Sequence, residues 1–466
     1  MVSKIRVLSG VVSLFLKHQN MDLSVRLVWM IRLLLALSPG IIHPDEYFQS
    51  IEPLWQLFTK SNQHLPWEFQ QGARSYGPLL VLYGLPVYIC NYFELHQVWL
   101  FLMIKIEMVL LSLIFDYFVL KYAKNDYLTY LCSGIVLCFC NRPFSNTIEM
   151  LLVCLTILFQ NKPIVIGIVT AFGVFTRITY PGFVAPFLIL QLYRKMIKLP
   201  KLTTIVFYSK CLIGFVTLTI LFVVIDTLVY NNGLFYPLRL PVLDNLIYNT
   251  KTENLAQHGL HPRYTHFLIN MPFIYGPFFI EWLINFKNYK NWYSLFMVIP
   301  IALMSIFPHQ EPRFVIGAFP WLFLALRKKH GHINISNKLI LAHGLILAFI
   351  YYFHQSSLLM YSFSDLNTHK SGTTTYFYKV YDMPSVFMPG QLINNDLDRL
   401  PVGSMKEKSI KLKSQDRVLA IASTECNCYT TYTWNFRNKN LTYIGKFPQL
   451  SIDYALDGTV CVYKVE

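Results

Sequence analysis

The chain has 466 residues, of which 54% are hydrophobic, 16% aromatic and only 14% charged. Soluble domains carry about 25% charged residues, so this composition excludes an ordinary soluble protein and indicates a polytopic membrane protein. Its 40 Lys and Arg residues outnumber its 25 Asp and Glu residues. Cytoplasmic loops of membrane proteins carry such an excess, so it does not indicate nucleic-acid binding.

Apolar segments along the chain predict about eleven membrane-spanning helices. Basic clusters between them, such as 194–201 and 327–329, place the N-terminus in the cytosol and the C-terminus on the opposite side. No cleavable signal peptide is evident, so we expect the first span to act as an uncleaved signal anchor. Several segments are shorter than a full span, which leaves a re-entrant helical pair open. The predicted spans lie near 22–42, 98–120, 127–141, 148–160, 163–176, 182–193, 211–230, 266–285, 292–308, 314–326 and 338–353.

An adjacent pair of acids, Asp45 and Glu46, follows the first of these spans. An acid costs about 2.5–3.5 kcal/mol at the centre of a spanning helix, but less at the membrane edge, where it meets water and head groups. Pro44 biases His43 away from helical geometry, so we expect it to end the preceding helix and to present the pair at a helix end. A solvated acidic loop is the alternative interpretation of the pair alone.

The segment 77–93 contains Pro78 and Pro86, and it breaks the alternation of the spans if it crosses the bilayer completely. We expect it to dip into the membrane and return, or to lie at the interface.

The polar joints between spans fall on the non-cytoplasmic side of this topology. A transporter would instead place ionisable residues near the middle of the bilayer, between symmetric halves. The chain shows no internal repeat of that kind, so the pattern favours an enzyme whose site lies at one leaflet. The joints on that side include 43–76, 142–146, 177–181, 231–266 and 309–313.

Basic and aromatic residues crowd one end of the loop 231–265. His258, His261, Arg263 and His266 fall within nine positions at the mouth of a span. Such a cluster could bind a phosphate, because the arginine guanidinium is a fork-shaped hydrogen-bond donor and histidine, neutral or charged, can donate as well. The alternative is a set of interfacial anchors, since such residues also favour the head-group layer. The histidine spacing does not follow the i, i+4 pattern of a helical metal site.

Arg177 and Arg313 are further cationic candidates beside the bilayer. Either residue has an alternative role as the ion-pair partner of Glu149 or Glu311, because buried charges in membranes usually pair with one another.

The tail from residue 354 onward differs from the rest of the chain. Segments 418–423, 441–444 and 459–465 are short and rich in β-branched or aromatic residues. We therefore predict a transmembrane domain over 1–353 and a small lumenal α/β domain over 354–466. The lumenal setting would permit glycosylation of Asn440 and one disulfide among Cys426, Cys428 and Cys461.

Ordered sequence blocks between residues 22 and 353 match one family of membrane enzymes. Through them the chain resembles the GPI mannosyltransferase branch of the polytopic GT-C glycosyltransferases. The block 258–266, His-Gly-Leu-His-Pro-Arg-Tyr-Thr-His, is similar to members that add the fourth mannose, whereas third-mannose and N-glycan enzymes differ there. The blocks are 43–46, 66–69, 73–78, 144–149, 172–181, 225–233, 258–266 and 307–314.

The resemblance implies an all-α GT-C fold and a transfer of mannose from dolichyl phosphate mannose to the third mannose of a GPI precursor. The linkage would be α1,2, with inversion at the anomeric carbon, in the lumen of the endoplasmic reticulum. Inversion requires a base for the acceptor hydroxyl. Asp45 suits that role, with Glu46 sharing it or shaping the acceptor site.

Charge develops on the departing phosphate, and Arg263, Arg313 or His261 would stabilise it. We expect no cofactor and no metal, because a lipid-phosphate donor lacks the nucleotide diphosphate that metals often hold. The alternatives are another GT-C mannosyltransferase, for the third GPI mannose or the N-glycan precursor, a lipid transporter, and an accessory subunit. The predicted substrate-binding residues are His43, Arg74, Tyr76, Glu149, Arg177, His258, His261, Arg263, His266 and Arg313.

Overall fold

A computed structural model describes residues 23–60, 65–250, 260–330, 332–363, 374–378, 384–387, 392–394, 417–422, 441–448 and 459–465. The described chain is mostly helical. Its helices and helical turns are Leu23–Ala36, Asp45–Phe48, Glu52–Thr59, Trp67–Gln70, Gly77–Tyr92, Gln97–Tyr122, Lys124–Asp126, Tyr127–Leu131, Ile135–Phe139, Ser145–Leu158, Pro163–Thr176, Tyr180–Lys198, Lys201–Tyr230, Pro241–Thr250, His266–Asn270, Met271–Tyr275, Pro277–Ile284, Phe286–Tyr289, Trp292–Met304, Pro312–Ala318, Phe319–His330, Asn337–Phe353, Ser356–Ser362 and Ser385–Phe387.

Each predicted span contains at least one observed helix, so the helical assignment of the apolar segments is confirmed. Among the described residues, Gln97–Tyr122 and Lys201–Tyr230 are long and apolar enough to cross a membrane. At 1.5 Å per residue they extend about 39 and 45 Å. The number of crossings stays a prediction. Shorter apolar helices are Gly77–Tyr92, Ser145–Leu158, Pro163–Thr176, Trp292–Met304 and Asn337–Phe353.

Two predicted spans are broken rather than continuous. The span 266–285 is interrupted at Gly276, whose backbone φ of 52° lies in the left-handed region that favours glycine. The span 127–141 divides into the helix Tyr127–Leu131 and a π-helical turn over Ile135–Phe139.

The segment 77–93, which we expect to dip into the membrane and return or to lie at the interface, forms a single helix, Gly77–Tyr92. The dip-and-return interpretation is therefore wrong, because that path needs a reversal of the chain, whereas a location at the interface stays a prediction. Pro78 falls in the first turn, where its missing N–H has no helical partner to lose, and Pro86 lies inside the helix.

The described chain forms two compact units. The first contains the residues up to Ala36, Trp67–Leu82 and Ile104–Leu347, and the second contains Leu37–Pro66, Tyr83–Met103 and the residues from Ala348 onward. The predicted domain boundary between 353 and 354 stays a prediction.

The tail forms a mixed five-stranded sheet within the second unit. The strands are β1 (Thr374–Tyr378), β2 (Leu392–Asn394), β3 (Arg417–Ala422), β4 (Leu441–Pro448) and β5 (Thr459–Val465), in the spatial order β2-β1-β3-β5-β4. β1 pairs with β2 and β3 in parallel, whereas β5 pairs with β3 and β4 antiparallel. The three strands predicted from the sequence are confirmed as β3, β4 and β5. The lumenal location of this sheet stays a prediction, and Asn440, Cys426 and Cys428 lie outside the described residues.

In the first unit, the helices Pro163–Thr176 and Lys201–Tyr230 approach each other through two glycines. A Cβ atom added to Gly167 would lie 1.9 Å from a backbone carbonyl oxygen of the opposite helix, and one added to Gly214 would lie 2.3 Å from such an oxygen. Small residues are the usual means by which membrane helices pack backbone against backbone. The two helices therefore form a closely packed pair.

A buried ion pair joins two other helices of the first unit. Arg32 Nη1 lies 3.0 Å from both carboxylate oxygens of Asp116, and both side chains are fully buried. The hydroxyl of Tyr127 donates a further hydrogen bond of 3.2 Å to Asp116. Such pairing is how a membrane interior tolerates charged side chains.

We expect Gly214→Ala to destabilise the protein by about 1–3 kcal/mol, because the added methyl group forces the packed helices apart. The thermal midpoint of the detergent-purified chain measures this effect. Gly182→Ala is the matched control, since the nearest atom to an added Cβ there lies 4.0 Å away. A midpoint for Gly214→Ala no lower than that of Gly182→Ala would contradict the packing described above.

Candidate active site

The acid pair lies at the start of a short helix in the second unit. Asp45 and Glu46 form the first turn of the helix Asp45–Phe48, and Pro44 is its N-cap residue. The expectation that Pro44 ends the preceding helix is wrong, because the preceding helix stops at Ala36. Proline begins helices readily, since its fixed φ suits the first turn and it has no N–H to satisfy.

The two acids differ in their surroundings. Glu46 is fully buried, and its Oε2 atom accepts a hydrogen bond of 3.2 Å from the backbone N–H of Ile42. The Asp45 side chain is 24% exposed, and its Oδ2 atom accepts a 2.6 Å hydrogen bond from the amide of Gln49. His43 Nδ1 accepts a hydrogen bond from the Asp45 backbone and lies 3.7 Å from the carboxylate. Asp45 is thus the member of the pair that a hydroxyl group can reach.

Two arginines of the first unit share one serine. Arg74 Nη2 and Arg177 Nη1 both donate to the hydroxyl oxygen of Ser145, over 3.2 and 2.8 Å. Arg177 Nε lies 3.3 Å from Glu149 Oε2, whereas Arg74 Nη1 lies 3.6 Å from Glu68 Oε1. Each arginine therefore lies beside a carboxylate as well as the shared hydroxyl.

A third arginine joins this group through the ring of Phe314. The guanidinium carbons of Arg177 and Arg313 each lie 5.5 Å from the centre of that ring. Arg313 forms an ion pair with Glu311, whose other oxygen lies 2.8 Å from His309 Nε2. We call Arg74, Arg177 and Arg313 the arginine cluster.

Burial affects the electrostatics of the cluster. It lowers the pKa of Arg177 to about 10, an effect that Glu149 opposes and that Arg74 and Arg313 strengthen. The guanidinium is still charged at neutral pH. Glu149 is only 1% exposed, and the hydroxyl of Thr179 donates to its Oε1 atom. The distances confirm the alternative in which Arg177 and Arg313 form ion pairs with the nearby acids Glu149 and Glu311.

Buried histidine and amide donors lie beside the cluster. The ring of His266 is 6.3 Å from that of Phe314, and Asn270 Nδ2 lies 2.9 Å from His266 Nδ1. With this amide donating to Nδ1, the other ring nitrogen, Nε2, carries the hydrogen. Neither His266 Nε2 nor Asn146 Nδ2 has a hydrogen-bond partner among the described residues. Such buried donors require an explanation, and a bound ligand supplies one.

The histidine-rich loop contributes only some of its residues to this arrangement. His261 is exposed, and its Nδ1 atom accepts a 3.3 Å hydrogen bond from the backbone N–H of Gln310. Arg263 is also exposed, and its carbonyl oxygen accepts a hydrogen bond from the Gln310 side chain. His266 joins the same residue, because its backbone N–H donates to Gln310 Oε1 over 2.9 Å. His258 lies outside the described residues.

The loop that carries Arg74 is held by an acid that the sequence analysis did not single out. Asp226 is buried, and it accepts hydrogen bonds from the Ser75 hydroxyl and from the backbone N–H groups of Tyr76 and Gly77. Tyr76, a predicted binding residue, is buried and offers its backbone rather than its hydroxyl to this contact. An acid inside the apolar helix Lys201–Tyr230 was the available signal.

The structure thus brings most of the predicted site residues of the first unit together. Ser145, Glu68, Glu311 and His309 also belong to this group and were missed as site residues, because their roles depend on contacts that local sequence does not show. Substrate binding by any of these residues stays a prediction. The predicted residues joined directly or through one neighbour are Arg74, Glu149, Arg177, Arg313, His261 and His266.

In the part of the chain that the structure describes, no group of three or more His, Cys, Asp or Glu side chains is placed to hold a metal ion. The expectation that the protein needs no metal stays a prediction.

We expect Arg177→Ala to destabilise the protein by about 3–5 kcal/mol, because it leaves the Glu149 carboxylate buried without a partner. The double variant Arg177→Ala/Glu149→Gln should be destabilised less, since it removes both charges. The thermal midpoint in detergent reports both effects. Arg194→Ala, at an exposed cation, is the control and should change stability by less than about 0.5 kcal/mol. Equal midpoints for the single and double variants would contradict this account of the pair.

Known proteins are similar to this chain in sequence. The sequence model of the Alg9-like mannosyltransferase family matches residues 24–389. GPI mannosyltransferase 4 of Saccharomyces cerevisiae is 33% identical over 414 residues, which cover 80% of this chain and 78% of the yeast protein. GPI mannosyltransferase 4 of Candida albicans is 34% identical over 333 residues, covering 62% of this chain and 64% of that protein.

Among solved structures, the chain is similar to the crystal structure of ArnT from Cupriavidus metallidurans bound to undecaprenyl phosphate. The TM-score is 0.54 at 10% sequence identity, over 95% of this chain and 97% of ArnT. At this identity the likeness shows a shared fold alone. Together with the family match, it confirms the predicted class, a helical membrane protein with a GT-C fold.

Proposed function

We propose that this chain adds the fourth mannose to a GPI precursor. It belongs to the Alg9-like mannosyltransferase family and is a GPI mannosyltransferase of the GT-C class. The donor is dolichyl phosphate mannose, the acceptor is the third mannose of the glycolipid, and the new linkage is α1,2. The reaction takes place at the lumenal face of the endoplasmic reticulum membrane. The names of the fungal relatives and the block 258–266 support this choice of step.

The observation that carries the mechanism is the contrast within the acid pair. A general base must reach the hydroxyl that it deprotonates. Asp45 is partly exposed and held by Gln49, whereas Glu46 is buried and bonded to the Ile42 backbone. Asp45 is accordingly the base, and Glu46 shapes the turn that presents it.

The reaction inverts the anomeric carbon of the transferred mannose. Asp45 accepts the proton of the acceptor 2-hydroxyl as its oxygen forms a bond to that carbon. The bond from the carbon to the phosphate oxygen breaks, and its electron pair leaves with dolichyl phosphate. Negative charge therefore grows on the phosphate, where oriented N–H donors stabilise it most effectively.

The arginine cluster supports a phosphate-binding role. Its three cations lie beside three acids, so it supplies oriented N–H donors rather than a large net charge. Arg74 and Arg177 both donate to the Ser145 hydroxyl, so their guanidinium groups lie side by side. Arg74 and Arg177 are therefore assigned to the donor phosphate, and the buried donors of His266 and Asn146 add to the same character. The structural neighbour ArnT was crystallised with a lipid phosphate, undecaprenyl phosphate.

We expect Asp45→Ala to lower the rate of hexose transfer by about 100-fold or more, because it removes the general base. The assay adds the native or variant chain to microsomes from cells that lack the fourth-mannose activity. The mass of lipid-extracted GPI precursors shows whether the three-mannose species gains a hexose, and an α1,2-specific mannosidase tests the linkage.

Asp244→Ala, at an exposed acid of the helix Pro241–Thr250, is the matched control and should keep the native rate. Transfer by Asp45→Ala within tenfold of the native rate would show that another group is the base. A well-expressed native chain that leaves the three-mannose species unchanged would refute the fourth-mannose assignment, and N-glycan precursors would be measured next.

A further inference from the structure

We infer that Asp226 is a positioning residue, which holds the backbone beside Arg74 so that the guanidinium meets the donor phosphate. This inference rests on the proposed function and goes beyond it by assigning a role to an acid that contacts no substrate. Asp226 has an unusual location, because it is fully buried in the long apolar helix Lys201–Tyr230. An acid in such a helix is costly to bury, so its contacts require an explanation.

Both carboxylate oxygens of Asp226 bind the residues that immediately follow Arg74. Oδ2 accepts a 2.7 Å hydrogen bond from the Ser75 hydroxyl. Oδ1 accepts a 2.7 Å bond from the backbone N–H of Tyr76 and a 3.3 Å bond from that of Gly77. Three consecutive residues are thus fixed by one side chain, and hydrogen bonds to a charged acceptor are about twice as strong as neutral ones.

Tyr230, one helical turn after Asp226, fixes Arg74 itself. Its hydroxyl donates a 2.6 Å hydrogen bond to the carbonyl oxygen of Arg74. Its ring also packs edge-on against that of Tyr76, with the ring centres 5.3 Å apart. The same helix therefore holds the loop both at Arg74 and just after it.

The packed helix pair extends this support to the second arginine of the cluster. The helix Lys201–Tyr230 packs closely on Pro163–Thr176, as the two glycine contacts show. Arg177 is the C-cap residue of the latter helix. The separation of Arg74 and Arg177, which share the Ser145 hydroxyl, is therefore set by the packing of two helices rather than by a mobile loop.

A simpler role for Asp226 is to cap the helix Gly77–Tyr92, because it accepts hydrogen bonds from the N–H of Gly77, the first helical residue, and from that of Tyr76 before it. A cap stabilises the helix and has no effect on substrate binding by the folded enzyme. A positioning role instead predicts a weaker hold on the donor. The two roles therefore differ in the KM for the donor, measured per folded molecule.

The test uses the full chain in microsomes that lack the fourth-mannose activity. Initial rates of hexose transfer are measured against dolichyl phosphate mannose concentration and are normalised to folded chain by fluorescence size-exclusion chromatography. We expect Asp226→Asn to raise the KM for the donor about tenfold with kcat within about threefold of native. In an Arg74→Ala background the same change should alter KM less than about twofold, because the two residues act as one unit.

Asp126→Asn is the matched control. Asp126 is also a buried acid that accepts a backbone hydrogen bond, 2.8 Å from the N–H of Ile333, and it lies 3.3 Å from Arg327. We expect this variant to yield less folded chain with an unchanged KM. Tyr230→Phe removes only the hydroxyl that binds Arg74, and it should raise KM about threefold. If Asp226→Asn yields no folded chain, the KM of Tyr230→Phe for the donor tests the positioning role in its place.

A native KM in folded Asp226→Asn, with a raised KM in Arg74→Ala, would overturn the positioning role and leave the proposed function intact. Effects of Asp226→Asn and Arg74→Ala that multiply would overturn it as well. A native KM in Arg74→Ala would show that Arg74 does not bind the donor, and it would refute the inference as well. A native chain that transfers no hexose would refute the proposed function itself.

Discussion

Glu149 lies inside the helix Ser145–Leu158 with 1% of its surface exposed, and Arg177, 3.3 Å away, is the charge that makes this burial tolerable. The effective penalty for burying an ion is several kcal/mol, so neither residue is stable there without the other. Because Arg177 is held by this pair, its remaining donors reach Ser145 and through it Arg74. The arrangement of the arginine cluster therefore depends on one buried ion pair.

Buried charges elsewhere in the first unit form contacts of a different kind. Asp116 is held by Arg32 from one helix and by Tyr127 from another, which joins three helical segments. In the arginine cluster, by contrast, the cations come from separate segments of the chain and lie next to buried donors of His266 and Asn146 that lack partners among the described residues. A ligand rich in acceptor oxygens fits the second environment, because its oxygens match donors that the protein does not satisfy.

The candidate base and the arginine cluster are built by different means. Asp45 is presented by a four-residue helix in which its neighbour Glu46 is buried to hold the turn. Arg74 and Arg177 are instead fixed by long helices that pack through glycine, so their positions depend on distant parts of the chain. A substitution in the helix Lys201–Tyr230 is therefore expected to change donor binding without touching the donor.

The sequence by itself determined the class of the protein and the positions of its helices, because a chain in lipid must satisfy its backbone hydrogen bonds within each apolar segment. Local patterns also determined the strands at 417–422, 441–448 and 459–465, since their β-branched residues follow turn-forming ones. Only the tertiary structure decided which charges pair, and which member of the acid pair is buried. Asp226 shows the reason. Its partners Ser75 and Tyr76 are about 150 residues away in the sequence, and only the folding of the chain brings them into contact.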